Sequence, residues 1–265
     1  MDTVTSADGT RIGYDRNGDG PAIILVSGAL GHRGFDPLTG GLLDLLAPDF
    51  SVYFYDRRGR GDSTDTHPYA VEREIEDIAA LIEAAGGEAY AYGLSSGGVL
   101  ALRAAQALPA IAKLAMYEPP FIIDDSRPPL PSDYVEQVEQ AVAEGRRGDA
   151  VEILMTKAIG VPVEYLAHMR QDPSWSAMEA VAHTISYDGR TMGTTMSGRP
   201  LPAEWAQITT QTLVLDGGMS EQFMHDAANA LADLLPNARR HTLADESHAV
   251  DPKVLAPVLA EFFGH

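Results

Sequence analysis

The sequence predicts an α/β fold, a mostly parallel central sheet with helices on both faces and a helical cap inserted before the last strands. Three observations predict it. Short apolar β-rich runs alternate with longer segments of helical period, an order that suits parallel strands joined by crossover helices. The interval 119–208 holds no convincing strand and is punctuated by prolines. Between a strand-like and a helix-like run stands Gly93-Leu94-Ser95-Ser96-Gly97, a pattern that fits a sharp strand-to-helix turn.

Taken in order, strands are expected at 11–14, 22–26 and 51–55, mostly short and apolar as strands buried on both faces should be. Val71, Ile75, Ile78 and Ile82 then recur at helical spacing until Gly86-Gly87 ends the helix. A strand at 89–92 leads into the glycine-flanked turn, a helix follows over 99–108, and the next strand spans 112–117. After it come four short helices, at 135–143, 150–159, 163–169 and 176–185, which read as a cap over the carboxyl edge of the sheet, where open α/β sheets bind ligands. The alternation resumes with strands at 212–215 and 239–243. Asp251-Pro252 opens the last helix as N-cap and first residue, and Val254, Leu255, Val258, Leu259 and Phe262 carry its period. The expected division is therefore a core of 1–118 and 209–265 with a cap of 119–208.

Composition narrows the function classes. The chain has 265 residues, 45% of them hydrophobic, enough for one large α/β domain. A formal charge of −19 disfavours nucleic acid and anionic membrane surfaces as partners. No apolar run approaches the length of a spanning helix, and the N-terminus lacks a basic region followed by an apolar one, so the chain reads as cytoplasmic. With no cysteine, disulfides, thiolate metal sites and a cysteine nucleophile are excluded. No metal or organic cofactor is implied.

The chemistry centres on Ser95. On a strand-to-helix turn its hydroxyl projects upward ahead of a helix, and glycines at 93 and 97 leave room where a side chain would meet the neighbouring strand or helix. Near the C-terminus His248 lies between the last strand and the closing helix, a placement that sets it apart from the other seven histidines and gives the order Ser before His.

Together these residues resemble the α/β-hydrolase fold family over the whole chain. Ile23-Ile24-Leu25-Val26-Ser27-Gly28-Ala29 is similar to the family strand that ends in His-Gly-x, with Ser27 in place of the usual histidine. The resemblance implies an oxyanion hole made by the N–H groups of Ala29 and Ser96. Asp56-Arg57-Arg58-Gly59-Arg60-Gly61-Asp62-Ser63 is similar to the family's D-x-R-G-x-G-x-S loop, in which Asp56 and Arg58 are read as structural. The family's acid after strand 212–215 is missing, because Gly217-Gly218-Met219-Ser220 has a serine where an aspartate is usual. Two carboxylates remain as candidates, Glu118 at the end of strand 112–117 and Asp216 at the end of strand 212–215. Glu118 is favoured, since zearalenone-type lactonases and some haloalkane dehalogenases of this superfamily take their acid from just after that strand.

The implied activity is a serine hydrolase that cleaves a carboxylic ester or lactone through an acyl-enzyme on Ser95. Methionines at 155, 169, 178, 192 and 196 suggest an adaptable apolar pocket for a small-molecule substrate of moderate size. Leu30, Phe121, Trp175, Met178 and His183 are the candidate substrate contacts. Two alternatives stay open: non-ester chemistry on the same fold, as in a perhydrolase, C–C hydrolase or lyase, and a ligand-binding receptor with weak hydrolase activity.

Overall fold

The computed structural model describes residues 2–264. Its eight strands are β1 (Asp2–Thr5), β2 (Arg11–Asn17), β3 (Ala22–Val26), β4 (Ser51–Tyr55), β5 (Ala89–Leu94), β6 (Ile111–Tyr117), β7 (Gln211–Gly217) and β8 (Ala238–Leu243). They form one sheet in the order β1-β2-β4-β3-β5-β6-β7-β8, antiparallel where β2 meets β1 and β4 and parallel elsewhere. β1 has no counterpart in the sequence pattern. It is short, largely exposed and polar, and pairing with β2 across the Ser6–Thr10 turn is what makes it a strand.

The helices are α1 (Pro37–Gly40), α2 (Leu42–Leu46), α3 (Val71–Ala84), α4 (Ser96–Ala107), α5 (Tyr134–Ala143), α6 (Arg147–Ile153), α7 (Val163–Met169), α8 (Ser174–Ala180), α9 (Ile185–Met192), α10 (Gln222–Leu234) and α11 (Pro252–Gly264). α10 leaves only a faint trace in the sequence, because much of its buried face is the small pair Ala227 and Ala228.

Side chains of the central strands alternate between two cores, as the two-residue period requires. Ile24, Val26, Ala91, Met116 and Val214 pack with residues of α3, α4 and α10, including Ile78, Val99 and Leu231. Ile23, Leu25, Tyr92, Tyr117 and Leu215 pack on the other face with α2 and α11 through Leu46, Leu255 and Phe262. Burial on both faces is why these strands read as unbroken apolar runs.

Between β6 and β7 the described elements are all helical. The stretch predicted as one helix over 150–159 is α6 followed by a π-helical turn, Leu154–Ile159. The stretch at 176–185 is divided into the end of α8, a 3₁₀ turn over Ala182–Thr184 and the first residue of α9, because Val181 leaves helical geometry and the Thr184 hydroxyl donates to the Val181 carbonyl at 2.8 Å. These helices share a third apolar cluster, which includes Val138, Val151, Leu154, Met178 and Ile185 and reaches the core through Leu30. No helix among the described residues is long and apolar enough to cross a membrane.

Candidate active site

Ser95 stands at the junction of β5 and α4 with φ 56° and ψ −128°. A side-chain-bearing residue at positive φ costs about 1–3 kcal/mol, so surrounding structure must impose it. Two backbone bonds do so: Ser95 N–H donates to the Tyr117 carbonyl and Gly98 N–H donates to the Ser95 carbonyl, both at 2.9 Å. The flanking glycines are steric necessities. A Cβ on Gly93 would strike the Gly97 carbonyl and the Gly98 Cα, and one on Gly97 would overlap the carbonyls of Val26 and Ser27.

The loop after β3 is pressed against this turn, for a Cβ on Gly28 would lie 3.2 Å from Ser95 Cβ. Leu30 in the same loop also has positive φ, 63°, which turns the backbone past the serine. Ala29, Ser95 and Ser96 all border one cavity of ≈ 880 Å³, the size of a small-molecule site.

The two acid candidates have different surroundings. Glu118, fully buried at 0% exposure and also at positive φ (46°), points its carboxylate across the sheet edge. Its Oε1 accepts the Gly217 N–H at 2.8 Å, and its Oε2 lies 2.8 Å from His248 Nδ1. Asp216 is turned away from His248 and is held by Arg240, Thr242 and the ring of His225. Burial alone would lift the Asp216 carboxyl, but bonds from Arg240, His225 and Thr242 outweigh it and hold the group below the usual range. The His248 loop is tied down by Tyr117, whose hydroxyl donates to the Ser247 carbonyl at 2.8 Å. Gly217 is needed there, because a Cβ would overlap the Glu246 carbonyl. The His248 side chain remains 46% exposed at the cavity wall, within reach of water.

Of the expected substrate contacts, Leu30 and Met178 line the cavity, with Leu154, Met155, Met192 and Met196 beside them. Three others lie elsewhere. Phe121 is fully buried below, its ring 5.6 Å from that of Trp205. Trp175 is buried among the helices, donating its indole N–H to Glu179 under the Arg170 guanidinium. His183 faces Asp65 and Tyr187, where burial lowers its pKa. Among the described residues no group of three or more His, Asp or Glu is gathered as a metal site.

The D-x-R-G-x-G-x-S-like loop holds a network that its pattern does not announce. Asp56 accepts the N–H groups of Arg33 and Asp62, while Arg58 forms a bidentate pair with Asp77 and a bond to Asp8. Arg57 and Arg60, at variable places of the pattern, are buried with Glu74 of α3 and Asp188 of α9. Desolvation opposes every charge there, yet pairing with Arg57 wins for Glu74, and pairing with Arg57 and Arg60 wins for Asp188; both carboxyls are held below the ordinary range.

A sheet of this order with a strained serine at the end of β5 and a histidine–carboxylate pair at the same edge defines the α/β-hydrolase class. The chain belongs to the alpha/beta hydrolase family, whose family model matches residues 23–258. A curated relative, the pimeloyl-[acyl-carrier protein] methyl ester esterase of Xanthomonas axonopodis pv. citri, is 28% identical over 244 residues, 88% of this chain and 89% of the relative. Among solved structures, an alpha/beta hydrolase from Sphaerobacter thermophilus is 52% identical with a TM-score of 0.90, covering 99% of this chain and all of that one. The fold also matches the enol-lactonase of Burkholderia xenovorans, 21% identical with a TM-score of 0.72 over the whole of both chains.

Proposed function

We propose that this protein is a serine hydrolase that cleaves a carboxylic ester or lactone of moderate size and apolar character. The observation that carries the reading is the buried Glu118 carboxylate 2.8 Å from His248 Nδ1, at a cavity that the strained Ser95 also borders. The esterase relatives support the same reaction class.

In the mechanism His248 Nε2 takes the Ser95 proton as Oγ bonds to the substrate carbonyl carbon. Glu118 keeps the Nδ1–H tautomer and stabilises the imidazolium. The Ala29 and Ser96 N–H groups receive the oxyanion. Collapse breaks the bond to the alcohol oxygen, which leaves with the proton from His248. Water then adds to the acyl carbon, passes a proton to His248, and Ser95 regains it as the acid departs. In a lactone, alcohol and acid are two ends of one product. Residues 119–208 act as the cap, and their methionines give the acyl pocket a soft wall that fits more than one shape.

A panel of p-nitrophenyl esters of increasing chain length, aryl lactones and macrolactones tests this, with Ser95→Ala as the blank. Bulky apolar esters or lactones should be turned over fastest. Turnover no faster than the blank throughout, with tight binding of a panel member, would replace the enzyme by a receptor.

A further inference from the structure

A neutral cluster of four buried charges lies beside the two amides assigned to the oxyanion, and one member, Asp188, also borders the cavity. Arg57 grips Glu74 with two bonds of 2.7 Å and reaches Asp188 Oδ1 at 2.6 Å. Arg60 Nη1 donates to the Gly28 carbonyl at 2.6 Å and to the Gly31 carbonyl at 3.2 Å, its Nε donates to Thr184, and Nη2 donates to Asp188 Oδ2. Asp188 has one further partner. Its Oδ1 also accepts the hydroxyl of Ser96 at 2.8 Å.

The covalent geometry gives these bonds a direction. The Gly28 carbonyl and the Ala29 N–H belong to one planar trans peptide group, in which the two bonds point to opposite sides. A guanidinium fixed on the carbonyl therefore orients the N–H, and a charged donor on the oxygen polarises the amide and strengthens its N–H as a donor. The second amide, that of Ser96, belongs to the residue whose side chain is held by Asp188. One carboxylate, on α9, thus references both donors to a common point.

Resting on the serine-hydrolase reading, we propose that Arg60 and Asp188 are positioning residues that brace the oxyanion hole, so that the hole is complete only while α9 is docked. Stability alone is a poor reason for such a cluster. Buried ion pairs carry a desolvation cost that often cancels their attraction, and apolar replacements of similar volume are commonly as stable. The arrangement instead resembles an oriented dipole scaffold, whose worth lies in where it holds two N–H groups.

The test is the rate at which a fluorophosphonate labels Ser95, read by peptide mass, together with kcat and KM on p-nitrophenyl butyrate. Both reactions form an oxyanion at the same place. Asp188→Asn and Arg60→Met should each slow labelling and lower kcat by about 30-fold or more, short of or equal to the loss of a whole oxyanion donor, with KM within about threefold. Arg60→Lys should recover part of the loss by restoring a charge on the Gly28 carbonyl. Ser96→Ala, which removes one hydroxyl and no charge, should cost about tenfold alone and little more in the Asp188→Asn background, because both act through one contact. The matched control is Asp77→Asn, which breaks the buried Arg58 pair but touches neither amide. It should lower Tm while leaving kcat of the folded protein within about twofold. Folded Asp188→Asn that labels as fast as wild type overturns the brace, as does Asp77→Asn losing as much kcat as Asp188→Asn. Should Asp188→Asn not fold, unchanged rates in both Ser96→Ala and Arg60→Met overturn it equally. Wild-type protein left unlabelled at Ser95 is a different failure, of the hydrolase reading itself, and takes the brace down with it.

Discussion

Replacing Glu118 by glutamine separates shape from charge, and its effect can be worked from the site. Gly217 N–H donates to Oε1, so in the variant the amide oxygen must stay on that side. The amide NH₂ is then turned to His248 Nδ1. A donor there obliges Nδ1 to accept, which moves the ring proton to Nε2 and leaves nothing to receive the Ser95 proton. The charge is lost as well: a carboxylate about 4 Å from the centre of an imidazolium, at an effective dielectric near 20, contributes about 4 kcal/mol. At about 1.4 kcal/mol per tenfold this is roughly 10³ in rate, and the wrong tautomer extends it toward about 10⁴. KM should hold, because Glu118 sits behind the histidine, and the fold should hold, because the bond from Gly217 survives. The assay is kcat and KM on p-nitrophenyl butyrate from pH 5 to 9, with Tm measured alongside. A folded Glu118→Gln within tenfold of wild-type kcat would refute the assignment.

Other expectations follow from the same geometry. Ser95→Ala should remove about 10³-fold or more of the rate and all fluorophosphonate labelling; label recovered on Ser96 would contradict the assignment of Ser95 as nucleophile. Asp216→Asn should leave kcat within about threefold but lower Tm by about 4–10 °C, because it leaves Arg240 and His225 without their carboxylate. The Asp216 carboxyl is depressed on folding, so its stabilisation is present above the ordinary carboxyl pKa of 3.8 and is lost as pH falls through the folded value. Wild type should therefore lose Tm more steeply than Asp216→Asn when acidified below about pH 4; parallel curves in a pH series of thermal melts would count against the pairing. Met178→Trp should fill part of the cavity and lower kcat/KM for long-chain esters more than for acetate or butyrate esters, and an unchanged chain-length profile would remove Met178 from the acyl pocket.

Local pattern alone determined much of this protein. β3 and β4 run over the residues their apolar runs predict, and the glycines flanking the Ser95 turn, Gly93 and Gly97, are demanded by the backbone that passes them. The family resemblance pointed to Glu118, and the sheet brings it beside His248 across a separation of 130 residues. Packing decided the rest. β1 exists through its partner strand, and α10 hides its apolar period behind alanines. Aromatic and imidazole groups suggested a pocket, yet Phe121 packs on Trp205, Trp175 bonds to Glu179 and His183 sits against Tyr187, away from the cavity. Arg57 and Arg60 carry no local sign of their task, for their partner Asp188 lies 131 and 128 residues away. Periodicity records which face of an element is buried, because that is a property of neighbours in the chain. Which buried charge meets which is a property of the closed fold, where desolvation makes each unpaired ion too costly and only the docked α9 supplies the partner.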